Sequence, residues 1–230
     1  TAIEYSSSNG RKGGVIIEEY LQGNEVSVEI MAIDGEIHIL QVTDKLTTGA
    51  PHFVEMGHSQ PCSLGERNVK VIRELAKQAV RAVGIENGPA HVEIMLTENG
   101  PKMIELGARM GGDNITTHLV PLSTGIDMVK ATIQVALGEK PDIAPVFEKG
   151  SAIRYFKEQY GIISNIEGIS VAEQLDGIKQ VTLVKGVGDT VGEIGSSVDR
   201  IGFVIAQGNT AGDAVEKCEK ALDQVQITVV

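Results

Sequence analysis

Cysteine is scarce: the 230 residues contain two, Cys62 and Cys218, far apart and in no CxxC or Cys/His spacing. That excludes a dense disulfide framework and a thiolate zinc motif, and a reduced, cytoplasmic setting is expected. Long apolar runs are also missing. No segment approaches the ~20 consecutive apolar residues of a membrane span, and no signal-peptide pattern is present. Basic charge is in deficit, with 20 Lys and Arg against 31 Asp and Glu and a formal net charge of −11. A phosphate backbone or an anionic membrane demands a basic face, so neither is expected as a partner. What remains is an ordinary soluble composition, 42% hydrophobic and 22% charged. It can bury a core as one large domain or one and a half. The opening, TAIEYSSSNGRKGG, does not begin with methionine and reads as part of a longer protein.

The most informative stretch is HVEIMLTENGPKMIELGARMGGD, His91 to Asp113. Two apolar-rich runs flank Glu98-Asn99-Gly100-Pro101, residue types that favour a turn, so the stretch reads as a β-hairpin. With the turn centred near Asn99, Glu93 and Glu105 fall opposite each other on antiparallel strands and point to one face. Val92, Ile94, Leu96, Ile104 and Leu106 are expected on the other face, against a core. Two carboxylates with Cβ atoms roughly 5 Å apart repel unless one is protonated or a cation lies between them. A hard divalent ion fits that gap; an exposed hairpin with two solvated glutamates is the alternative. The run Gly107-Ala108-Arg109-Met110-Gly111-Gly112-Asp113 follows at once. Its glycines let backbone amides approach an anion, and Arg109 adds a permanent cation suited to phosphate or carboxylate.

Upstream, Ser6 to Gly14 reads as a loop, Val15 to Leu21 as a short strand, and Glu25 to Met31 as a half-buried strand by its alternation. Asp34-Gly35 signals a tight hairpin returning through Glu36 to Thr43. Asp44-Lys45 closes that strand, Leu46 to Pro51 is a loop, and His52 to His58 is a further strand. The Glu55/His58 pair would suggest a metal on a helix, but Pro51 and Pro61 make a helix there improbable. Val69, Ile72, Ala76, Ala79, Val80 and Val83 recur at helical spacing over Glu66 to Val83, and Gly84 stops the helix. Shorter helices are expected at Asn114 to Leu122 and Gly125 to Gly138. Asp113 and His118 are candidates to face a substrate, with a helix cap an equal account of Asp113. Pro141 and Pro145 mark a boundary. The fold class is α+β: an antiparallel sheet with packed helices over 1–146, and a small C-terminal α+β subdomain over 147–230 with one helix, Thr210 to Leu222. That subdomain shows no phosphate loop, catalytic Ser/His/Asp order or metal spacing. It reads as a wall of the site or a dimer contact.

The hairpin resembles the metal-binding end of the ATP-grasp superfamily, whose pattern E-x(about 12)-E-x-N-x-R holds Mg²⁺ and the ATP phosphates. Here the acids are Glu93 and Glu105 and the base is Arg109, with Gly107 at the usual asparagine position. The E-x-x-x-R-x-x-G form is closer to the branch of L-amino-acid ligases and related carboxylate–amine ligases than to biotin carboxylase. The resemblance implies a C-terminal ATP-grasp lobe that uses ATP and Mg²⁺ or Mn²⁺. It also implies that Glu18, Glu19 and Leu21 line an adenine slot, that Glu25 holds the ribose and that Lys45 meets the γ-phosphate. Glu55 and His58 stand where this branch carries a substrate-pocket Glu and His, 35 residues before the first metal acid. Arg109, Gly111, Gly112 and Asp113 would complete the substrate site.

The chemistry implied is attack of a small-molecule carboxylate on ATP, giving an acylphosphate that an amine captures. The superfamily's first lobe would lie upstream in the same enzyme, so this stretch alone is expected to bind ATP weakly and not to turn over. Two other readings stand beside it: a carbamoyl-phosphate-synthase-like or biotin-carboxylase-like enzyme, and a non-catalytic nucleotide-sensing or assembly module.

Overall fold

The computed structural model describes residues 2–10 and 14–230. Strand β1 (Asn24–Ile33) turns at Asp34 and Gly35, with φ of 50° and 79°, into β2 (Glu36–Thr47). Two successive positive φ values match the twist of antiparallel strands, which is why Asp-Gly serves here. β3 (Glu55–Gln60), β4 (Gly88–Thr97), β5 (Gly100–Gly107), β6 (Gly150–Tyr155), β8 (Ile178–Leu183) and β10 (Gly202–Gly208) complete one sheet in the order β5-β4-β1-β2-β3-β6-β10-β8. Because β3 pairs with β6, the sheet runs unbroken from the first part of the chain into the last. A second, three-stranded sheet holds β7 (Gly161–Glu167) between β9 (Thr190–Val191) and β11 (Gln226–Val229).

One face of the large sheet is apolar. Helix α2 (Glu66–Ala82) lays Ile72, Ala76 and Val80 on Val26, Val28, Ile30, Val92 and Ile94. Helix α6 (Ala211–Gln224) packs Ala214, Cys218 and Ala221 over Ala152, Val204 and Ala206. The alternate residues face the other way and are polar yet buried: Ser27, Glu29, Gln41, Thr43, His58, Gln60 and His91. Ile115, Leu119, Ile153, Tyr155 and Ile205 close part of that second face.

The α+β architecture, the two hairpins and α2 are as the sequence indicates. Several boundaries differ. Ala2–Asn9 is helix α1, so the expected loop begins four residues later than Ser6; good helix formers open the segment and Gly10 ends it. Arg11, Lys12 and Gly13 of that loop lie outside the described residues. Val15 to Leu21 is not a strand: it pairs with neither sheet, and Ile16 and Ile17 stay exposed. β1 is buried on both faces rather than one. β2 continues through Leu46 and Thr47, and β3 starts at Glu55 rather than His52. Ile104 is the extra residue of a bulge, because Glu93 pairs with Glu105 but Ile94 pairs with Met103. It therefore does not join Ile94 in the core. The segment after β5 is a π-helical turn (Ile115–Leu119) running into α3 (Val120–Thr124), followed by α4 (Met128–Ala136). A short helix α5 (Ile169–Glu173) is added in the C-terminal segment.

Ile72→Ala should cost about 2–5 kcal/mol in urea unfolding by opening a cavity under the sheet. Val83→Ala, at an exposed cap position, should stay within about 0.5 kcal/mol. Equal losses would contradict this division of α2.

Candidate functional site

The polar face is built by register. Ser27 pairs with Glu93 and Thr43, Glu29 with His91, and Glu93 with Glu105. A single side of four adjacent strands therefore gathers Glu25, Ser27, Glu29, Lys45, His91, Glu93 and Glu105.

Lys45 is the hub. Its Nζ lies 2.6 Å from Glu25, 3.1 Å from Glu93 and 3.6 Å from Glu55, with its side chain 4% exposed. Burial pulls its pKa down, but the Glu25 hydrogen bond and the Glu93 and Glu25 charges outweigh burial and the net direction is up. Glu93 Oε1 meets His91 Nε2 at 3.1 Å, and His91 Nδ1 is 3.0 Å from both oxygens of the fully buried Glu29, which also accepts from Ser27 Oγ. Burial lowers the His91 pKa, while Glu29 and Glu93 raise it to about 9 overall. Burial raises that of Glu93, but His91 and Lys45 bring it down to about 2. Glu93 is thus an anion across the working pH range. Glu105 is exposed and pairs with Arg109 at 3.3 Å.

The carboxylate pair fits a divalent cation in chemistry and number. Among the described residues no group of three or more His, Cys, Asp and Glu could hold a metal. Magnesium, however, takes one or two carboxylates and fills the rest of its shell with water and phosphate oxygens. An ionised carboxylate offers about four lone-pair sites, and Lys45 and His91 occupy two of those on Glu93.

Two cavities meet at Lys45. The larger, about 840 Å³, is lined by Glu19, Tyr20, Leu21, Glu25, Lys45, Met95 and Ile104, with Arg154 and Ser59 also reaching it. The smaller, about 270 Å³, is lined by Lys45, Glu55, His58, His91, Glu93, Arg109, Gly112, Asp113, Ile115 and Ser197. The sequence-selected residues Glu19, Leu21, Glu25 and Lys45 come together in the first, and Glu55, His58, Arg109, Gly112 and Asp113 in the second. Glu18 lines neither, and Glu105 stands at the hairpin across from Glu93 without lining either. Gly111 serves the site indirectly: a Cβ there would lie 2.7 Å from His91 Nδ1 and 2.9 Å from a Glu29 oxygen. His118 bonds with its neighbour Thr117 and is not among the lining residues.

Sequence reasoning missed His91, Glu29, Ser197 and Arg200. The first two carried a signal, since the alternation that places Glu93 on the polar face places His91 there too, and Glu29 opposite it. Arg200 had none. It sits after a short 3₁₀ turn and makes two 2.8 Å bonds to Asp113.

Residues 2–118 match the family model described as ATP-grasp domain, and residues 154–230 match L-amino acid ligase C-terminal domain 2. The uncharacterized protein y4rH of Sinorhizobium fredii is 26% identical over 216 residues, 94% of this chain and 44% of that protein. An L-arginine-specific L-amino acid ligase of Bacillus subtilis is 28% identical over 205 residues, 84% of this chain and 48% of its own. The crystal structure of L-amino acid ligase from Bacillus licheniformis superposes with a TM-score of 0.81 at 26% identity, covering 92% of this chain and 53% of that one. The chain thus spans about half the length of the proteins it resembles.

Stability tied to His91 is complete below the unfolded pKa near 6.5 and is lost as pH rises through about 9. The melting temperature should therefore fall across that window and the fall should flatten in His91→Asn; equal slopes would contradict the Glu29–His91–Glu93 chain. Gly111→Ala should cost about 1–3 kcal/mol by crowding the same pair, read by urea unfolding, and a neutral result would show that the pair yields freely.

Proposed function

Because the chain belongs to the ATP-grasp domain family, we propose that it is the C-terminal part of an ATP-dependent carboxylate–amine ligase of the L-amino-acid-ligase type. The observation that carries this reading is Lys45, a buried cation at the junction of a nucleotide-sized cleft and a small polar pocket, tied directly to Glu93. Glu19 and Leu21 line the adenine slot with Glu18 beside them, Glu25 faces the ribose, and Lys45 offsets charge on the γ-phosphate. Glu93 and Glu105 hold Mg²⁺ or Mn²⁺, which when bound neutralises phosphate charge. Arg109, exposed beside Glu105, steadies the acylphosphate.

The reaction proposed runs in two displacements. A substrate carboxylate oxygen attacks the γ-phosphorus and ADP leaves, forming an acylphosphate. An amine nitrogen then attacks the acyl carbon, the C–O bond to phosphate breaks, and the amine loses a proton. Catalysis of this kind rests mainly on positioning and charge neutralisation. Glu55 and His58, with Gly112 and Asp113, form the pocket for the amine-bearing substrate. An upstream lobe of the same enzyme closes the nucleotide cleft from the other side.

Two measurements test this. Calorimetric titration with Mg·ADP should show weak binding that falls at least tenfold, about 1.4 kcal/mol, in Glu93→Gln/Glu105→Gln with the fold retained. Unchanged binding would remove the metal assignment. The chain alone, given ATP, Mg²⁺ and an amino-acid mixture, should release no steady phosphate; steady release would contradict the need for the upstream lobe.

A further inference from the structure

Arg200 lies in the C-terminal segment, outside every motif that marks the site, yet its side chain is 10% exposed and all three of its nitrogens are hydrogen-bonded. Nη2 donates to Asp113 Oδ1 and Nη1 to Asp113 Oδ2, each at 2.8 Å, so the guanidinium fork meets the carboxylate face to face. Nη1 also donates to the Glu55 carbonyl at 3.0 Å, and Nε to the Ser197 carbonyl at 2.9 Å. The planar group stacks on Tyr155, 3.9 Å from the ring centroid. Asp113 in turn holds His58, whose Nε2 is 3.3 Å from Oδ2 while its buried Nδ1 has no partner. The carboxylate thereby places the ring proton on Nε2. The backbone at Asp113 and Asn114 takes left-handed φ of 47° and 61°, a conformation that needs support from outside the turn.

We infer that Arg200 is a positioning residue for the small pocket: through Asp113 it fixes the His58 ring, and through the Glu55 carbonyl it fixes the start of β3. A single arginine of the C-terminal segment thus decides, from behind Asp113, the geometry of a pocket whose walls come almost entirely from residues 45–115. The charge balance agrees. Burial alone would raise the Asp113 pKa, but the Arg200 and His58 hydrogen bonds hold it well below the usual carboxylate range. Lysine could keep the charge but could not make two parallel bonds and reach Glu55 as well. The inference rests on the proposed function only in taking this pocket to be the substrate site.

The 230-residue chain, labelled at aspartate carboxyl carbons and histidine ring nitrogens, gives an NMR test without turnover. In the wild type, His58 should show the Nε2-protonated tautomer alone, and Asp113 should stay ionised to the lowest pH at which the chain is folded. In Arg200→Met the Asp113 titration should rise by at least one pH unit and the His58 tautomers should mix. Arg200→Lys should show a smaller rise with the tautomers still mixed. Lys217→Met, which breaks an exposed pair with Asp176, should move neither. If Arg200→Met does not fold, Arg200→Lys and Asp113→Asn read the same tautomer signal. Unchanged signals in the folded variants, or equal changes in the Lys217 control, would overturn the inference. In phosphate-release assays of the full-length enzyme, Arg200→Met should raise the amino-acid KM at least tenfold with the ATP KM within twofold. Parallel rises would also overturn it. If no nucleotide turnover exists, the ligase reading fails, and the NMR signals still decide the role of Arg200.

Discussion

A buried ammonium group organises this protein. Lys45 would be costly to bury alone, and the sheet meets that cost with acids from three neighbouring strands: Glu25 on β1, Glu55 on β3 and Glu93 on β4. From Glu93 the alternation of charge continues through His91 to Glu29 at the centre of the sheet. Each member is compensated by its neighbours, so removing one leaves an unpaired charge in a dry place. The chain of charges keeps Glu93 ionised and fixed in the lining of the smaller cavity, beside the lysine that the two cavities share, as the proposed handling of a metal-bound polyphosphate would require.

Much of this was written in the alternation of the strands. Period-two patterning with the turn near Asn99 puts Glu93 and Glu105 on one face of their hairpin, and the same alternation puts His91 beside Glu93 and Glu29 in line with Glu25. The pairing of Glu29 with His91 then follows from the register of β1 on β4. What hid them was the expectation that polar alternate residues face solvent; here a second layer, including Ile115 and Leu119, covers much of that face. Residue spacing could not reveal the bulge at Ile104 either, because one extra residue changes the face of every neighbour before it. The false strand at Val15 to Leu21 shows the converse: an apolar, β-branched run that pairs with no strand stays irregular, with Ile16 and Ile17 exposed.

The C-terminal segment was least legible. Three of its strands lie at the far end of the large sheet and three form the small one, and its composition carries no site motif. Its contribution, Ser197 in the pocket lining and Arg200 bonded behind it to Asp113 and the Glu55 carbonyl, depends on a turn brought beside β3 and the glycine-rich exit of β5 by pairing of β3 with β6. No local pattern encodes that juxtaposition. It follows from sheet order, a long-range property, and explains why a stretch that resembles a mere wall supplies the partner of Asp113.

The placement of the cation tests the account most directly. Crystals of the chain grown with Mn²⁺ and ADP, measured for anomalous scattering, should show a manganese peak between the carboxylates of Glu93 and Glu105, with the phosphates beside Lys45. A peak elsewhere, with Glu93 still held only by Lys45 and His91, would contradict it.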